Sequence, residues 1–419
     1  HSMIIKDELF DKNPVISNAL LDMYAKCGML IEARKVLGVL AVRNIPSWNA
    51  LISGYVQQGQ VQLALDSFEQ MQRDGFTPNV VTYTCILKAC SKTGSISMGE
   101  KIHEVVSRKG LLEEDIMLGN TLVDMYAKCG LLGKAHKVLE ELLVRNVVSW
   151  NALIAGHVQH GQGHEALTCY ERMQSEGLLP DEVTFICILK ACGGIKNAEK
   201  SETIHDEILM RGFLEKDIAF GNGLVDMYVK CGMPEKAQLV LEELPFRNIL
   251  SWNALIAGYA QQGQGHEALT CFEQMQSEGL YPDDITFLCV LSACTHSGLL
   301  DEAQMIFASM TRRFGVTPNV KHHTCMVMML ASGGDFNNAT SVIKCRKPSC
   351  DNLVLWLAVL SVCKRLGNVG IGKLVFDEIV QLDYNCAPAY ILMADLFAVV
   401  GMQDGAKEIE AITSKHVNR

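Results

Sequence analysis

The sequence predicts an all-α chain folded as an α-solenoid of helix–turn–helix repeats, and three observations predict it. The first is repetition. Trp48, Trp150 and Trp252 lie 102 residues apart, each inside Ser-Trp-Asn-Ala-Leu-Ile, and the same offset relates Cys27, Cys129 and Cys231. Residues 14–115, 116–217 and 218–319 are three copies of one module, close enough that Gly-Gln-Gly-His-Glu-Ala-Leu-Thr-Cys recurs at 161–169 and 263–271. The second is subdivision: the first module splits into units of about 31, 35 and 36 residues (14–44, 45–79, 80–115), each with its own mark. The third is apolar spacing. Leu51, Ile52 and Tyr55, then Leu63, Leu65, Phe68 and Met71, recur at helical intervals on either side of Gly59, and Gly75 with Pro78 ends the second half. A pair of helices with one apolar face is covered only by its neighbours, so the pairs must stack.

Composition narrows the class of function. The 419 residues are 49% hydrophobic and 20% charged, more material than one compact core uses. The sixteen cysteines follow no secretory signal and mostly fall in apolar, helix-like segments, which makes reduced core thiols the reading. No apolar run approaches the ~18 residues that a membrane-spanning helix needs, so no membrane partner is expected. A formal net charge of -10 counts against nonspecific attraction to phosphates, so nucleic-acid binding must rest on local sites. His1-Ser2-Met3 reads as a cloning scar. Residues 4–13 line up with 208–217, so the chain is expected to begin midway through a repeat of a longer array.

The marks themselves carry a resemblance. Asn-Ala-Leu-Leu-Asp-Met-Tyr-Ala-Lys-Cys-Gly (18–28), Val-Ser-Trp-Asn-Ala-Leu-Ile-Ala-Gly (148–156) and Thr-Phe-x-x-x-Leu-x-Ala-Cys (184–192) resemble the short, standard and long motifs of plant pentatricopeptide-repeat proteins, PLS subclass. Residues 320–352 resemble the terminal short motif, and 353–386 and 387–419 the two E motifs that follow it. The resemblance implies a right-handed superhelical solenoid that binds single-stranded organellar RNA, as the site-recognition factor for C-to-U editing in mitochondrion or chloroplast. Such proteins often continue into a DYW deaminase domain with His-x-Glu and Pro-Cys-x-x-Cys zinc ligands. Here the one His-x-Glu is His205-Asp206-Glu207 in a repeat helix, and Pro-Cys and Cys-x-x-Cys do not occur. The expectation is a chain that binds but is not an enzyme, with no cofactor and no metal, whose E motifs dock a deaminase or another editing factor.

Repeats of this class read one base per unit through two or three side chains. By the resemblance these are the fifth and last residues of each unit. Down the chain they are Asn18 with Asn44, Asn49 with Asn79 and Thr84 with Asp115; then Asn120 with Asn146, Asn151 with Asp181 and Ile186 with Asp217. The third module offers Asn222 with Asn248, Asn253 with Asp283 and Leu288 with Asn319; Thr324 closes the series with Asn352, or with Asp351 in the alternative register. In the family's code Asn/Asn favours pyrimidines, Asn/Asp U, Thr/Asp G and Thr/Asn A. Ile186 and Leu288 have no hydrogen to donate, so those two long units should read poorly. The second residues Val15, Val81, Met117, Val148, Val183, Ala219, Leu250 and Ile285 would flank the base faces, with inter-helix packing as the plain alternative; Pro46 and Lys321 break the pattern.

Lys26, Lys128 and Lys230 recur near the first helix's end, where they would either reach phosphates or complement the helix dipole. The tryptophans precede the reading asparagines by one residue and so point ~100° away, into the core. His103 and His205 lack spaced partners and read as structural; His322-His323 with Cys325 is too tight for a metal site. Two other functions stay open: a protein-interaction scaffold, which the acidic charge suits, and an RNA stability or processing factor.

Overall fold

The computed structural model describes residues 14–40, 43–215, 217–344, 350–407 and 409. The expected cloning scar (1–3), the remnant of a preceding repeat (4–13) and positions 408 and 410–419 of the second E-like motif lie outside the described residues. The chain divides into two compact units, His1–Met210 and Arg211–Arg419.

All elements among the described residues are helices. In the first unit they are α1 (Pro14–Lys26), α2 (Leu30–Val39), α3 (Ile45–Gln57), α4 (Val61–Arg73), α5 (Val80–Thr93), α6 (Ile96–Arg108), the one-turn α7 (Leu111–Glu114), α8 (Ile116–Lys128), α9 (Leu132–Glu141), α10 (Val147–Gln159), α11 (Gly163–Ser175), α12 (Glu182–Ile195) and α13 (Ala198–Met210). In the second they are α14 (Ile218–Lys230), α15 (Pro234–Glu243), α16 (Ile249–Gln261), α17 (Gly265–Ser277), α18 (Asp284–Ser297), α19 (Leu300–Phe314), α20 (Val320–Ser332), α21 (Phe336–Lys344), α22 (Cys350–Leu366), α23 (Val369–Leu382) and α24 (Ala387–Val399). Every expected repeat from 14 to 320 opens on a helix at its first residue. Short repeats are short because their second helices α2, α9 and α15 run 10 residues, against 13 in α4, α11 and α17.

The two helices of a repeat do different work. Within each unit a first helix packs against the first helices of adjacent repeats, its own second helix and the second helix before it. It is therefore apolar nearly all round: α3 buries Trp48, Leu51, Ile52, Tyr55 and Val56 together with Ser47 and Asn49. A second helix covers one side only, and α4 buries Val61, Ala64, Ser67, Phe68 and Met71 at three- and four-residue steps. Gly59, at φ 72°, makes the left-handed turn between them, a conformation in which a side chain would be strained.

Adjacent first helices approach closely at Gly54, Gly156 and Gly258. A Cβ on Gly156 would lie 2.5 Å from Ala127 Cβ, and one on Gly258 would lie 2.6 Å from Val229 Cγ2. The cysteines from Cys27 to Cys386 that are described are unbridged, and burial pushes the Cys169 thiol up to about 11 and Cys271 up to about 12. Cys90, Cys169, Cys192, Cys271, Cys294, Cys363 and Cys386 are core residues, as expected, whereas Cys27 is exposed and the others are half-buried.

The tryptophans are buried, and their indole N–H groups expose a difference between the copies. Trp150 Nε1 donates to Glu176 Oε2 at 3.0 Å, and Trp252 Nε1 donates to Glu278 Oε2 at 3.0 Å. Arg145 and Arg247 pair with the same two carboxylates. The first module carries Asp74 at this place, one methylene shorter. Asp74 takes Arg43 at 3.0 Å and Gln70 at 2.6 Å, while Trp48 Nε1 is buried without a hydrogen-bond partner.

Two expectations follow from this packing. Gly156→Ala forces a methyl into a filled helix contact and should lower stability by about 1–3 kcal/mol, read by chemical denaturation. Asp74→Glu supplies the missing acceptor for Trp48 and should raise stability by about 1 kcal/mol, read in the same way; no gain would show that the longer carboxylate does not reach the indole.

Candidate nucleic-acid interface

The site begins with how a first helix starts. Four N–H groups at a helix N-terminus lack partners within the helix, and an Asn or Asp side chain just before it can take one. Here that residue is the last residue of the preceding repeat: Asn44, Asn79, Asp115, Asn146, Asp181, Asp217, Asn248, Asp283 and Asn319 each accept a backbone N–H of the helix they open. In the standard and long repeats the third helical residue bonds back to the backbone of the cap; it is Ser47, Thr82, Ser149, Thr184, Ser251 and Thr286, all fully buried.

The fifth residue of a repeat meets this cap. Asn49 Nδ2 donates to Asn79 Oδ1 at 3.1 Å, Asn120 Nδ2 to Asn146 Oδ1 at 3.3 Å, Asn151 Nδ2 to Asp181 Oδ1 at 2.8 Å and Asn253 Nδ2 to Asp283 Oδ1 at 3.2 Å. Fifth and last residues, which the sequence separates by about 30 positions, are thus brought together as hydrogen-bonded pairs in these four repeats. The fifth residues here are buried, whereas Asn79 is exposed and Asn146, Asp181 and Asp283 are half-buried. At Asp181 the bonds from the Thr184 N–H, the Thr184 hydroxyl and Asn151 all land on Oδ1, leaving Oδ2 out of the set. Burial alone would raise this carboxyl's pKa; the Thr184 backbone N–H, the Asn151 amide and the Thr184 hydroxyl outweigh it and hold it below its ordinary 3.8.

The second residues stand beside these pairs and are not packed. Val15, Val81, Met117, Val148, Val183, Leu250 and Ile285 are all exposed, from 73% at Val15 to 50% at Ile285. Ala219 is half-buried; Pro46 and Lys321, which break the apolar pattern, are exposed. In the second unit a recess of about 310 Å³ is lined by Asp284, Ile285, Leu288, Asn319, Val320 and Lys321. Its walls thus include the second, fifth and last residues of one repeat and the second residue of the next.

A family model described as "PPR repeat family" matches residues 43–92, 145–194 and 247–296, and one described as "PPR repeat" matches 15–45, 81–111, 120–147, 222–249 and 285–313. Two pentatricopeptide repeat-containing proteins of Arabidopsis thaliana, 31% and 32% identical, are covered over 72% and 73% of their lengths and match 96% and 98% of this chain. The chain belongs to the pentatricopeptide-repeat family. A further Arabidopsis thaliana relative is 36% identical over 96% of this chain and 62% of its own length; the chain spans half to about three-fifths of the first curated relatives it matches. Some relatives are named chloroplastic and others mitochondrial. Among solved structures, the pentatricopeptide repeat protein PPR10 in complex with an 18-nt psaJ RNA element matches with a TM-score of 0.76 at 18% identity, over 96% of this chain and 60% of that one. That likeness is one of fold.

The remaining sequence-derived positions of this pentatricopeptide-repeat chain vary. Asn222, whose Oδ1 is buried without a partner, is not among the fifth residues hydrogen-bonded to a cap. Asn18 is half-buried, Thr84 buried, and Thr324 turns its hydroxyl back to Val320 O at 2.9 Å. Asp115 caps α8 through Leu118 N at 2.9 Å. Asn352 departs from the other last residues: α22 starts at Cys350, so Asn352 is buried inside a helix and is not a cap. The side chain of Asp351, the alternative, lies outside the described residues. Lys26, Lys128 and Lys230 sit in the last turn of their helices and pair with Asp22, Asp124 and Asp226 at 2.7, 2.8 and 2.6 Å. A phosphate would have to displace an exposed i,i+4 pair worth only about 0.3–0.5 kcal/mol. His103 bonds to Tyr126 OH at 3.0 Å, and His322 bridges Asn319 N and Asp284 O at 3.1 and 2.8 Å, both structural roles.

Sequence reasoning passed over the third residues. Thr82 and Thr184 touch both members of the hydrogen-bonded pair, and their signal was available: Asn or Asp followed three positions later by Ser or Thr at these junctions. Asp181→Ala would remove the cap of α12 and strand the buried Asn151 amide, so it should cost about 1–2 kcal/mol by chemical denaturation. Because the folded carboxyl has a lowered pKa, its contribution is complete above the unfolded value and is lost as pH falls through the folded one. The penalty of Asp181→Ala should therefore be constant from neutral pH down to about pH 5 and shrink only below the ordinary carboxylate range.

Proposed function

We propose that this chain binds single-stranded RNA sequence-selectively, one nucleotide per repeat, through the pairs of fifth and last residues. The observation that carries the reading is the repeated Asn–Asn or Asn–Asp hydrogen bond in repeats whose apolar second residue (Met117, Val148, Leu250) is exposed. Each pair commits the cap's Oδ1 to the protein and keeps its other polar atom for a ligand. An Asp then offers an acceptor, which suits the imino N–H of U or G; an Asn offers an amide donor, which suits the ring nitrogen of C or A. The exposed valines, leucine, isoleucine and methionine offer apolar contact to base faces, which is tolerant of sequence. Binding of this kind does not need a basic surface and is compatible with a net charge of -10.

The reading extends to a role as the site-recognition factor for organellar C-to-U editing. What supports it is the resemblance of 353–419 to E motifs, the order of short, standard and long motifs, and relatives named chloroplastic or mitochondrial. Helices α22 to α24 and the turns between them leave Leu374, Tyr384, Ile391 and Val399 exposed, apolar surface that suits a docked deaminase of the DYW type. In this reading the chain selects the site and the chemistry is supplied by that partner.

RNAs selected from a random pool should give, 5′ to 3′, pyrimidine, pyrimidine, G or any base, pyrimidine, U, any, pyrimidine, U, any, A. In the same assay Asn151→Thr should shift the fifth nucleotide from U toward G. Equal, weak binding of selected and scrambled RNAs would sink the reading and favour a protein-interaction scaffold.

A further inference from the structure

An asparagine amide reads correctly only when turned the right way, since rotating it by 180° exchanges its donor and acceptor. Two copies of the module hold it in place. Thr82 Oγ1 shares its one hydrogen between Asn49 Oδ1 at 2.7 Å and the cap Asn79 Oδ1 at 3.0 Å, and Thr184 Oγ1 shares its own between Asn151 Oδ1 at 2.7 Å and the cap Asp181 Oδ1 at 2.8 Å; both threonines belong to the next repeat and are fully buried. We propose that Thr82 and Thr184 are positioning residues for base selection, whose hydroxyls lock the reading amide of the preceding repeat with its NH2 toward the cap. This rests on the RNA reading above and adds a specificity determinant to it.

The lock works from both ends of the amide. With the hydroxyl on Oδ1, Nδ2 is aimed at the cap's Oδ1. Flipping the amide would break the hydroxyl bond and, in the second module, set an amide oxygen against the Asp181 carboxylate. Both errors are costly in a buried setting, where an unpaired polar group is not rescued by water.

The other copies show what happens without it. Thr286 Oγ1 donates to Asp283 Oδ1 at 2.8 Å but makes no bond to Asn253, whose Oδ1 is buried without a partner. After the short repeats the equivalent residues are Ser149 and Ser251, which bond to Asn146 and Asn248; Asn120 and Asn222 likewise carry buried Oδ1 atoms without a partner. Repeats 45–79 and 147–181 should therefore be the sharpest readers, although the asparagine itself is the same at all four places.

The test compares two matched substitutions in the full chain. Thr184→Val and Thr286→Val each remove a hydroxyl from the same place in a capping box, so both variants should fold with similar thermal stability. Discrimination is measured with RNA pairs differing only by U or C at the nucleotide assigned to repeat 147–181, or to repeat 249–283. Thr184→Val should reduce the U-over-C ratio at its nucleotide about fivefold to tenfold, the value of one lost hydrogen bond, and Thr286→Val less than about twofold at its own. Equal losses in both, or an unchanged ratio in Thr184→Val, would overturn the positioning role while leaving RNA reading intact. Absence of any U-over-C preference in the unsubstituted protein would overturn the RNA reading and this inference with it.

Discussion

One oxygen atom per junction organises this molecule. The Oδ1 of a repeat's last residue caps the helix that follows and, in four repeats, also receives the amide of the fifth residue behind it. Helix initiation, the stacking of one repeat on the next and the candidate reading pair thus share an acceptor. That coupling explains why the pair recurs in these four repeats. Backbone N–H groups at a helix start must be satisfied, so the cap is placed by the backbone and the reader then finds it in a fixed position.

The fold was legible because repetition removes ambiguity: a helix that starts after Asn44 must start again after Asn146 and Asn248. The burial of the tryptophans and of cysteines such as Cys90, Cys192 and Cys294 followed from helical spacing. What the one-dimensional pattern hid were matters of reach. Asp74 and Glu176 look interchangeable in sequence, yet one methylene decides whether a buried indole has a partner. Asn352 differs from the other last residues for a related reason. Counting from Trp356 assumes that the helix begins where its relatives do, and α22 begins at Cys350. The fifth and last residues entered through a family resemblance; spacing by itself does not reveal that they touch.

Near-identical copies also act as internal controls. The three modules share almost all of their packing, so their differences isolate single interactions: a donor left over at Trp48, a hydroxyl that reaches Asn49 and Asn151 but not Asn253. Residues that copy faithfully, such as the close glycines on the first helices, report the constraint of stacking. Residues that diverge at the fifth position, such as Thr84 against Ile186 and Leu288, change the chemistry of one copy while the packing residues around them are kept.

The shared cap has a bearing on how such arrays are recombined. A repeat defined from helix start to helix start is not chemically self-contained, because its last side chain is bonded to residues of the next one. A chimera joined at that boundary would marry a cap to a foreign third residue and alter two repeats at once. Cutting instead at the turn around Gly59 parts Asn49 from Asn79, its acceptor. The segment that travels whole runs from the fourth residue of one repeat to the third residue of the next. Residues 48–82 carry Asn49, Asn79 and Thr82 together, and 150–184 carry Asn151, Asp181 and Thr184. Each such cassette leaves the preceding cap bonded to its own third residue, so the module that is cut and pasted is offset by three residues from the one that is counted.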